Sequence, residues 1–283
     1  MHTLKEYQRQ KEWLICVDSD GCVMDTMRIK HVHCFGPCLV REWELWRHEE
    51  AILSRWNEIN LYSPTRGINR FKGLALLLKE IDETYQKIEG VYDIIRFAEC
   101  SKELSAAALK REIERYPKSL ALKKTLAWSN AVNRSIDALP MDAKKPFYGA
   151  KEALAYAHER ADVAVVSSAN FEAIVEEWER HGLLPCVDVI CAQDAGSKAD
   201  CLTRLKGKGY GEGRVLMCGD APSDLRAARN SDVDFYPILA GGEEKSWSVF
   251  PAVIDGFLSG GGKAQRQSLC IEFLENLRGK EIG

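Results

Sequence analysis

No apolar run in this chain of 283 residues approaches the length that a membrane span needs, so a helical membrane protein is not among the expected classes. A surplus of charge is also missing. Lys and Arg number 39 against 42 Asp and Glu, a formal net charge of −3. That balance leaves no electrostatic footprint for nucleic acid or an anionic membrane, and neither is an expected partner. Small anionic substrates stay open, because local positive charge is compatible with a near-neutral total. There is no internal repeat and no long low-complexity tract. The ten cysteines do not form a compact disulfide scaffold: they are scattered, and Cys16, Cys191 and Cys218 sit inside apolar, strand-like runs. Reduced, buried thiols in a cytoplasmic protein are therefore expected. The polar opening MHTLKEYQRQKEW, unlike a signal peptide, points the same way.

What is present is a 46% hydrophobic composition, enough for a sizeable core, over a length that suggests two domains. Five short apolar runs stand out, at residues 13–17, 163–166, 187–191, 215–218 and 235–239. They lack polar alternation, as expected for strands buried on both faces of a parallel sheet. Helical spacing separates the later runs, as in Phe171-Ile174-Val175-Trp178 and Leu225-Ala228. Strand and helix alternate, which predicts an α/β class with a parallel sheet. Residues 26–145 read differently. Leu39-Trp43-Trp46, Leu74-Leu77-Leu78-Ile81 and Leu109-Ile113-Tyr116 have helical spacing, and no strand run is evident. The expected organisation is a core of residues 1–25 and 146–283, interrupted after its first strand by a helical domain of residues 26–145.

In a parallel sheet, ligands bind beyond the carboxyl ends of the strands. The first run ends in Asp18 and Asp20, within VDSDGCVMD, and the second in Ser167 and Ser168. Lys198 follows the third, in AGSKAD, and the fourth gives Gly219, Asp220 and, one helical turn on, Asp224. Acidic, hydroxyl and ammonium groups thus converge on one edge. Asp18, Asp20 and Asp220, with Asp224 in support, are hard oxygen ligands suited to Mg²⁺. On an extended strand end, two carboxylates two residues apart point the same way. One would attack phosphorus while the other exchanges a proton with the leaving oxygen. Ser167, the first polar residue after its run, would bind a phosphoryl oxygen, with Ser168 the alternative, and Lys198 would neutralise charge.

These residues resemble the haloacid dehalogenase-like superfamily. Its first motif, DxDG after hydrophobic residues, matches Asp18-Ser19-Asp20-Gly21; its second, a strand ending in Ser or Thr, matches VAVVSSAN at Ser167. Its third, a lysine before a helix, matches Lys198, and its fourth, GDxxxD, matches Gly219-Asp220 with Asp224. All four occur in the family's order between residues 13 and 240, with the helical insertion where the first type of cap domain sits. The resemblance implies a Rossmann-like core with an inserted all-helical cap, Mg²⁺ dependence and an aspartyl-phosphate intermediate. Asp20 is lacking in the dehalogenase members and usually replaced in the phosphonate-cleaving ones, so its presence points to a phosphate ester, with a small phosphorylated metabolite as the partner. Cys22 departs from the Thr that many members carry, and the insertion exceeds the usual small cap. The expected activity is Mg²⁺-dependent phosphate monoester hydrolysis; a phosphotransferase or mutase using the same intermediate, and a non-catalytic phospholigand-binding protein, are the rivals. No oligomeric state is implied.

Other features have plainer readings. Asp25 is a turn former or helix cap, and Asp224 could be simply a helix-start carboxylate. His31, His33, Cys34 and Cys38 miss the spacing of structural zinc sites. Gly260-Gly261-Gly262-Lys263 lacks the spacing of a phosphate loop and reads as a flexible turn, and Trp43, Trp46 and Trp56 read as core or interface. The segment SPTRGINRFKG has turn residues and a dense set of donors, so Arg66, Asn69 and Arg70 are candidate substrate contacts projecting from the helices. GGEEKSW, residues 241–247, reads as a loop leaving the catalytic edge.

Overall fold

In the computed structural model, which describes residues 4–278, strand β1 (Leu14–Val17) is followed by a long helical stretch. Its helices are α1 (Met27–Lys30), α2 (Gly36–Glu42), α3 (Glu49–Asn57), α4 (Arg70–Thr84), α5 (Val91–Cys100), α6 (Ala106–Arg115) and α7 (Leu120–Asp137). The chain then alternates: α8 (Ala150–His158), β2 (Asp162–Val166), α9 (Phe171–Arg180), β3 (Val189–Cys191), α10 (Lys198–Lys206), β4 (Val215–Gly219), α11 (Pro222–Asn230) and β5 (Asp234–Pro237). It closes with α12 (Glu243–Leu258) and α13 (Lys263–Arg278). Two compact units result, Met1–Met27 with Lys144–Gly283, and Arg28–Ala143.

The first unit is a five-stranded parallel sheet in the order β3-β2-β1-β4-β5. Successive strand residues face opposite sides, and both sides are buried. Ile15, Val17, Val163, Val165, Leu216 and Cys218 enter one core with residues of α8, α9 and α12. Leu14, Cys16, Ala164, Val166, Val215 and Met217 enter the other with residues of α10, α11 and α13. This is why the runs show no polar alternation. The order reverses at β1, which is flanked by β2 and β4, so the chain's chemistry concentrates beyond three adjacent strand ends.

The second unit has its own core, in which Trp56, Trp128, Leu74, Leu78, Phe97 and Leu122 are buried. No strand occurs in it among the described residues. Two expected helix spans stop early. α2 ends at Glu42, with Glu44 at a positive φ of 55°, so Trp46 starts a short new turn and is 56% exposed rather than core. α6 ends at Arg115, leaving Tyr116 exposed. Between α12 and α13 the glycine run is a pinned turn rather than a loose one: Gly260 and Gly262 take positive φ, and Arg266 Nη1 donates to Gly261 O at 2.8 Å.

Candidate active site

The parallel register sets the frame. Val17 pairs with Val165 on one side and Cys218 on the other, and Asp18 N continues the ladder by donating to Cys218 O at 3.0 Å. Asp18 is therefore the first residue past the central strand, beside the ends that carry Ser167 and Asp220. The chain turns at once: Ser19 O accepts from the backbone N–H groups of Cys22, Val23 and Met24, and Gly21 takes a φ of 80°.

Three buried carboxylates meet there. Asp18, Asp220 and Asp224 are 6%, 1% and 0% exposed, and each offers one oxygen within 4.8 Å of the others. Clustered like charges in a low-dielectric site need a cation. Lys198, the first residue of α10, supplies one, its Nζ lying 2.6 Å from Asp18 Oδ2 and 2.6 Å from Asp224 Oδ1. Burial raises the Asp18 carboxyl to about 6; the Lys198 ammonium pulls it down and the Asp224 carboxylate pushes it up. For Lys198, burial opposes the charge, but Asp18 and Asp224 together outweigh it and hold the ammonium well above its ordinary range. One ammonium among three carboxylates leaves a site suited to a divalent cation, and hard, buried carboxylate oxygens are the donor set for it.

Asp224 does two things at once. Its Oδ2 accepts from Ala221 N at 3.1 Å, so it caps its own helix, while Oδ1 holds Lys198. Gly219 makes this possible: a Cβ there would lie 2.4 Å from Asp224 Cβ. Ser167 is 5% exposed, with Oγ accepting from Ala169 N at 3.3 Å, while neighbouring Ser168 is exposed.

Asp20 does not join the carboxylate cluster in which it was expected. The expectation assumed an extended strand end, but β1 stops at Val17 and the turn at Ser19 re-aims the side chain. Its Oδ1 accepts instead from Thr26 Oγ1. Thr26 is fully buried and was missed in the sequence; a hydroxyl at the start of the chain's next helical stretch was the available signal. Two indoles also reach this turn. Trp178 Nε1 donates to Ser19 Oγ and Trp247 Nε1 to Cys22 O, each at 2.9 Å. The GGEEKSW segment that carries Trp247 is thus no loop beyond Gly242. Glu243 starts α12, where two acidic residues suit the helix N-terminus, and Ser246 Oγ donates to Gly242 O. Asp25 is an exposed turn residue whose N–H donates to Lys145 O.

The remaining candidates lie in the helical unit. Arg66 does not project: it is 4% exposed and its Nη1 donates to Leu61 O at 2.8 Å, an acceptor left at the end of a helical turn. Asn69 caps α4, its Oδ1 accepting from Phe71 N at 3.0 Å, and its Nδ2 donates to Leu104 O. Arg70 is partly exposed, with Nη1 2.7 Å from Asn133 Oδ1 and its guanidinium 5.0 Å from the centre of the Phe35 ring. His31 stacks on Phe35, and Cys34 and Cys38 are buried in the helical packing.

The profile of the haloacid dehalogenase-like hydrolases matches residues 77–238, more than half of the chain. That span contains Ser167, Lys198, Asp220 and Asp224; Asp18 and Asp20 precede it, and β1 brings Asp18 beside Asp220 and Asp224. Among solved structures, the chain is similar to a candidate phosphoglycolate phosphatase from Lactobacillus delbrueckii subsp. bulgaricus, at 15% identity over 81% of this chain and 87% of that one, with a TM-score of 0.50. It is also similar to a candidate β-phosphoglucomutase from Thermotoga maritima, at 14% identity over 86% and 98%, with a TM-score of 0.48. A haloacid dehalogenase-like family hydrolase from Streptococcus pneumoniae gives 11% identity over 87% and 97%, with a TM-score of 0.48. At these identities the likeness is one of fold. No curated protein matches the chain.

Proposed function

Because the chain belongs to the haloacid dehalogenase-like hydrolase family, we propose that it is a Mg²⁺-dependent phosphatase of a small phosphorylated metabolite, working through an aspartyl-phosphate on Asp18. The observation that carries this reading is the Lys198 ammonium, held 2.6 Å from both Asp18 and Asp224 at the end of the central strand, with Asp220 in the same buried cluster. Asp18, Asp220 and Asp224 would hold Mg²⁺, which when bound neutralises charge on the phosphoryl group and the carboxylates around it.

The residues then divide the work. An Asp18 carboxylate oxygen bonds to phosphorus as the ester P–O bond breaks, and the leaving oxygen takes its electron pair and a proton from the Asp20 carboxyl. Asp20 next removes a proton from water, whose oxygen bonds to phosphorus as the Asp18–phosphorus bond breaks, releasing inorganic phosphate. Asp20 Oδ1 accepts from Thr26 Oγ1, which fixes the carboxyl within the turn that also carries the nucleophile. Ser167 and Lys198 hold phosphoryl oxygens and stabilise the charge that develops on them. These groups recognise little beyond a phosphoryl group. Selectivity between esters is assigned to the helical unit, with the partly exposed Arg70 as its candidate donor.

The test is release of inorganic phosphate from sugar phosphates, nucleotides and phospho-acids with Mg²⁺ present. Release without an acceptor is the expected result. Transfer to an added hydroxyl compound with no free phosphate would make the protein a phosphotransferase, and no turnover of any ester would overturn the reading.

A further inference from the structure

We propose that Trp178 and Trp247 are positioning residues for the phosphoryl-transfer step, acting through the turn that carries Asp18 and Asp20; the inference rests on the phosphatase reading above. The nucleophile turn, residues 18–26, leaves the central strand and has little regular structure of its own. Its geometry has to be imposed from outside, and a misplacement of the reacting groups by about 1 Å can cost on the order of a hundredfold in rate.

Two helices from distant parts of the chain impose it. Trp178, on α9, is fully buried and donates from Nε1 to Ser19 Oγ at 2.9 Å, between the two aspartates. Trp247, on α12, is 1% exposed and donates to Cys22 O at 2.9 Å, two residues past Asp20. Both rings pack in the same core face as Cys22, Val23 and Met24, and Phe250 holds Trp247 edge-on at 5.1 Å between centroids. An indole has one N–H and a large rigid body, so a ring locked by packing aims its donor in one direction. Each bond lies in a water-excluded place where an unmatched polar atom is costly, so each fixes its acceptor firmly.

The pair also explains two features of the sequence. Ser19 occupies the variable position of DxDG, where its hydroxyl is buried and serves as the acceptor for Trp178. The GGEEKSW segment acts at the site through its last residue, with Gly241 at a φ of 78° leading into α12. The two bonds are not equivalent. Trp178 steadies the turn beside the nucleophile, whereas Trp247 steadies the turn just after the acid. Loss of the second should fall more heavily on esters whose leaving group needs a proton.

The experiment compares wild type with Trp178→Phe, Trp247→Phe, Ser19→Ala and the Ser19→Ala/Trp178→Phe double variant, at a temperature well below every unfolding midpoint. An aryl phosphate and an alkyl phosphate are the substrates. Each tryptophan variant should lose about ten- to a hundredfold in kcat with KM little changed. Trp247→Phe should lose more on the alkyl ester. The double variant should be no worse than the poorer of its two singles, since both remove one bond. If a tryptophan variant does not fold, Ser19→Ala breaks the Trp178 bond from the turn side. Wild-type kcat in Ser19→Ala and in the folded tryptophan variants, or a loss shared equally by kcat and KM, would overturn the inference. A wild-type protein inactive on both esters would instead count against the phosphatase reading itself.

Discussion

The two ends of the central sheet both bury carboxylates, and they treat them in opposite ways. At the amino end, Asp162 opens β2, is fully buried, and receives three hydrogen bonds on one oxygen: from Gln10 N and Lys11 N at 2.9 Å each and from Tyr210 Oη at 2.6 Å. Asp188 beside it accepts from Val163 N at 2.7 Å and lies 3.1 Å from His158 Nε2. Burial alone would raise the Asp162 carboxyl, but these hydrogen bonds outweigh it and hold the group below the usual carboxylate range. At the carboxyl end, the Asp18 carboxyl is lifted instead, to about 6, because burial, with the Asp224 carboxylate adding to it, outweighs the pull of the Lys198 ammonium. The amino end has settled its charges with donors and ties down the segment before β1. The carboxyl end gathers three buried carboxylates around Lys198, an arrangement that suits a cation and a phosphoryl group.

Substitutions should separate the two ends cleanly. Asp18→Asn is expected to reduce phosphatase turnover by at least about a thousandfold, because it removes the nucleophile, while the unfolding midpoint stays at or above that of wild type. Lys198→Met should lower turnover by about a hundred- to a thousandfold. Each is checked by steady-state kinetics alongside thermal unfolding. At the other end the effect reverses. Asp162→Asn should cost on the order of 2 kcal/mol in stability by denaturant unfolding and leave kcat within about twofold at temperatures where the protein is folded. The pH dependence follows in sign. A carboxyl depressed in the folded state contributes stability that is present above its unfolded pKa of about 3.9 and is lost as pH falls through the folded value. Wild type should therefore lose stability on acidification below about pH 4 more steeply than Asp162→Asn, which unfolding midpoints across that range would reveal.

What the sequence showed and what it hid divide along the same physical line. Strand ends are legible because a buried parallel strand is an unbroken apolar run, and the first polar residue after it must lie at the sheet's edge; Asp18, Ser167 and Asp220 were found that way. Lys198 and Asp224 were legible as helix-start residues, although their ion pair depends on Gly219 leaving room for the aspartate. Asp20 is not among the clustered carboxylates because the chain turns at Ser19, whereas a strand-based reading keeps it extended to Asp20. Trp178 and Trp247 are invisible in the sequence because their hydrogen bonds depend on tertiary packing, and nothing in local spacing marks an indole that will face a turn. In the helical unit, polar density misled. Arg66 and Asn69 look like projecting donors, but a helical stretch leaves backbone groups unmatched at its ends, and these side chains satisfy them.

The smallest expected effects extend the comparison to that unit. Arg66→Ala should lower stability by about 1–2 kcal/mol with no change in substrate preference, since its guanidinium serves a buried carbonyl. Arg70→Ala should leave stability nearly unchanged and reduce kcat/KM several-fold for the best metabolite ester found, with little effect on a small aryl phosphate. Equal effects of Arg70→Ala on both substrates would remove it from selectivity.

The central claim is that the buried carboxylate cluster around Lys198 serves to carry a phosphoryl group on Asp18. The most direct measurement is rapid acid quench of the wild-type enzyme during turnover of an aryl phosphate with Mg²⁺, followed by peptide mass spectrometry. A phosphoryl adduct on the peptide bearing Asp18, absent in Asp18→Asn and absent when the metal is chelated, is the predicted result. Turnover with no adduct on that peptide, or an adduct that persists in Asp18→Asn, would contradict the account.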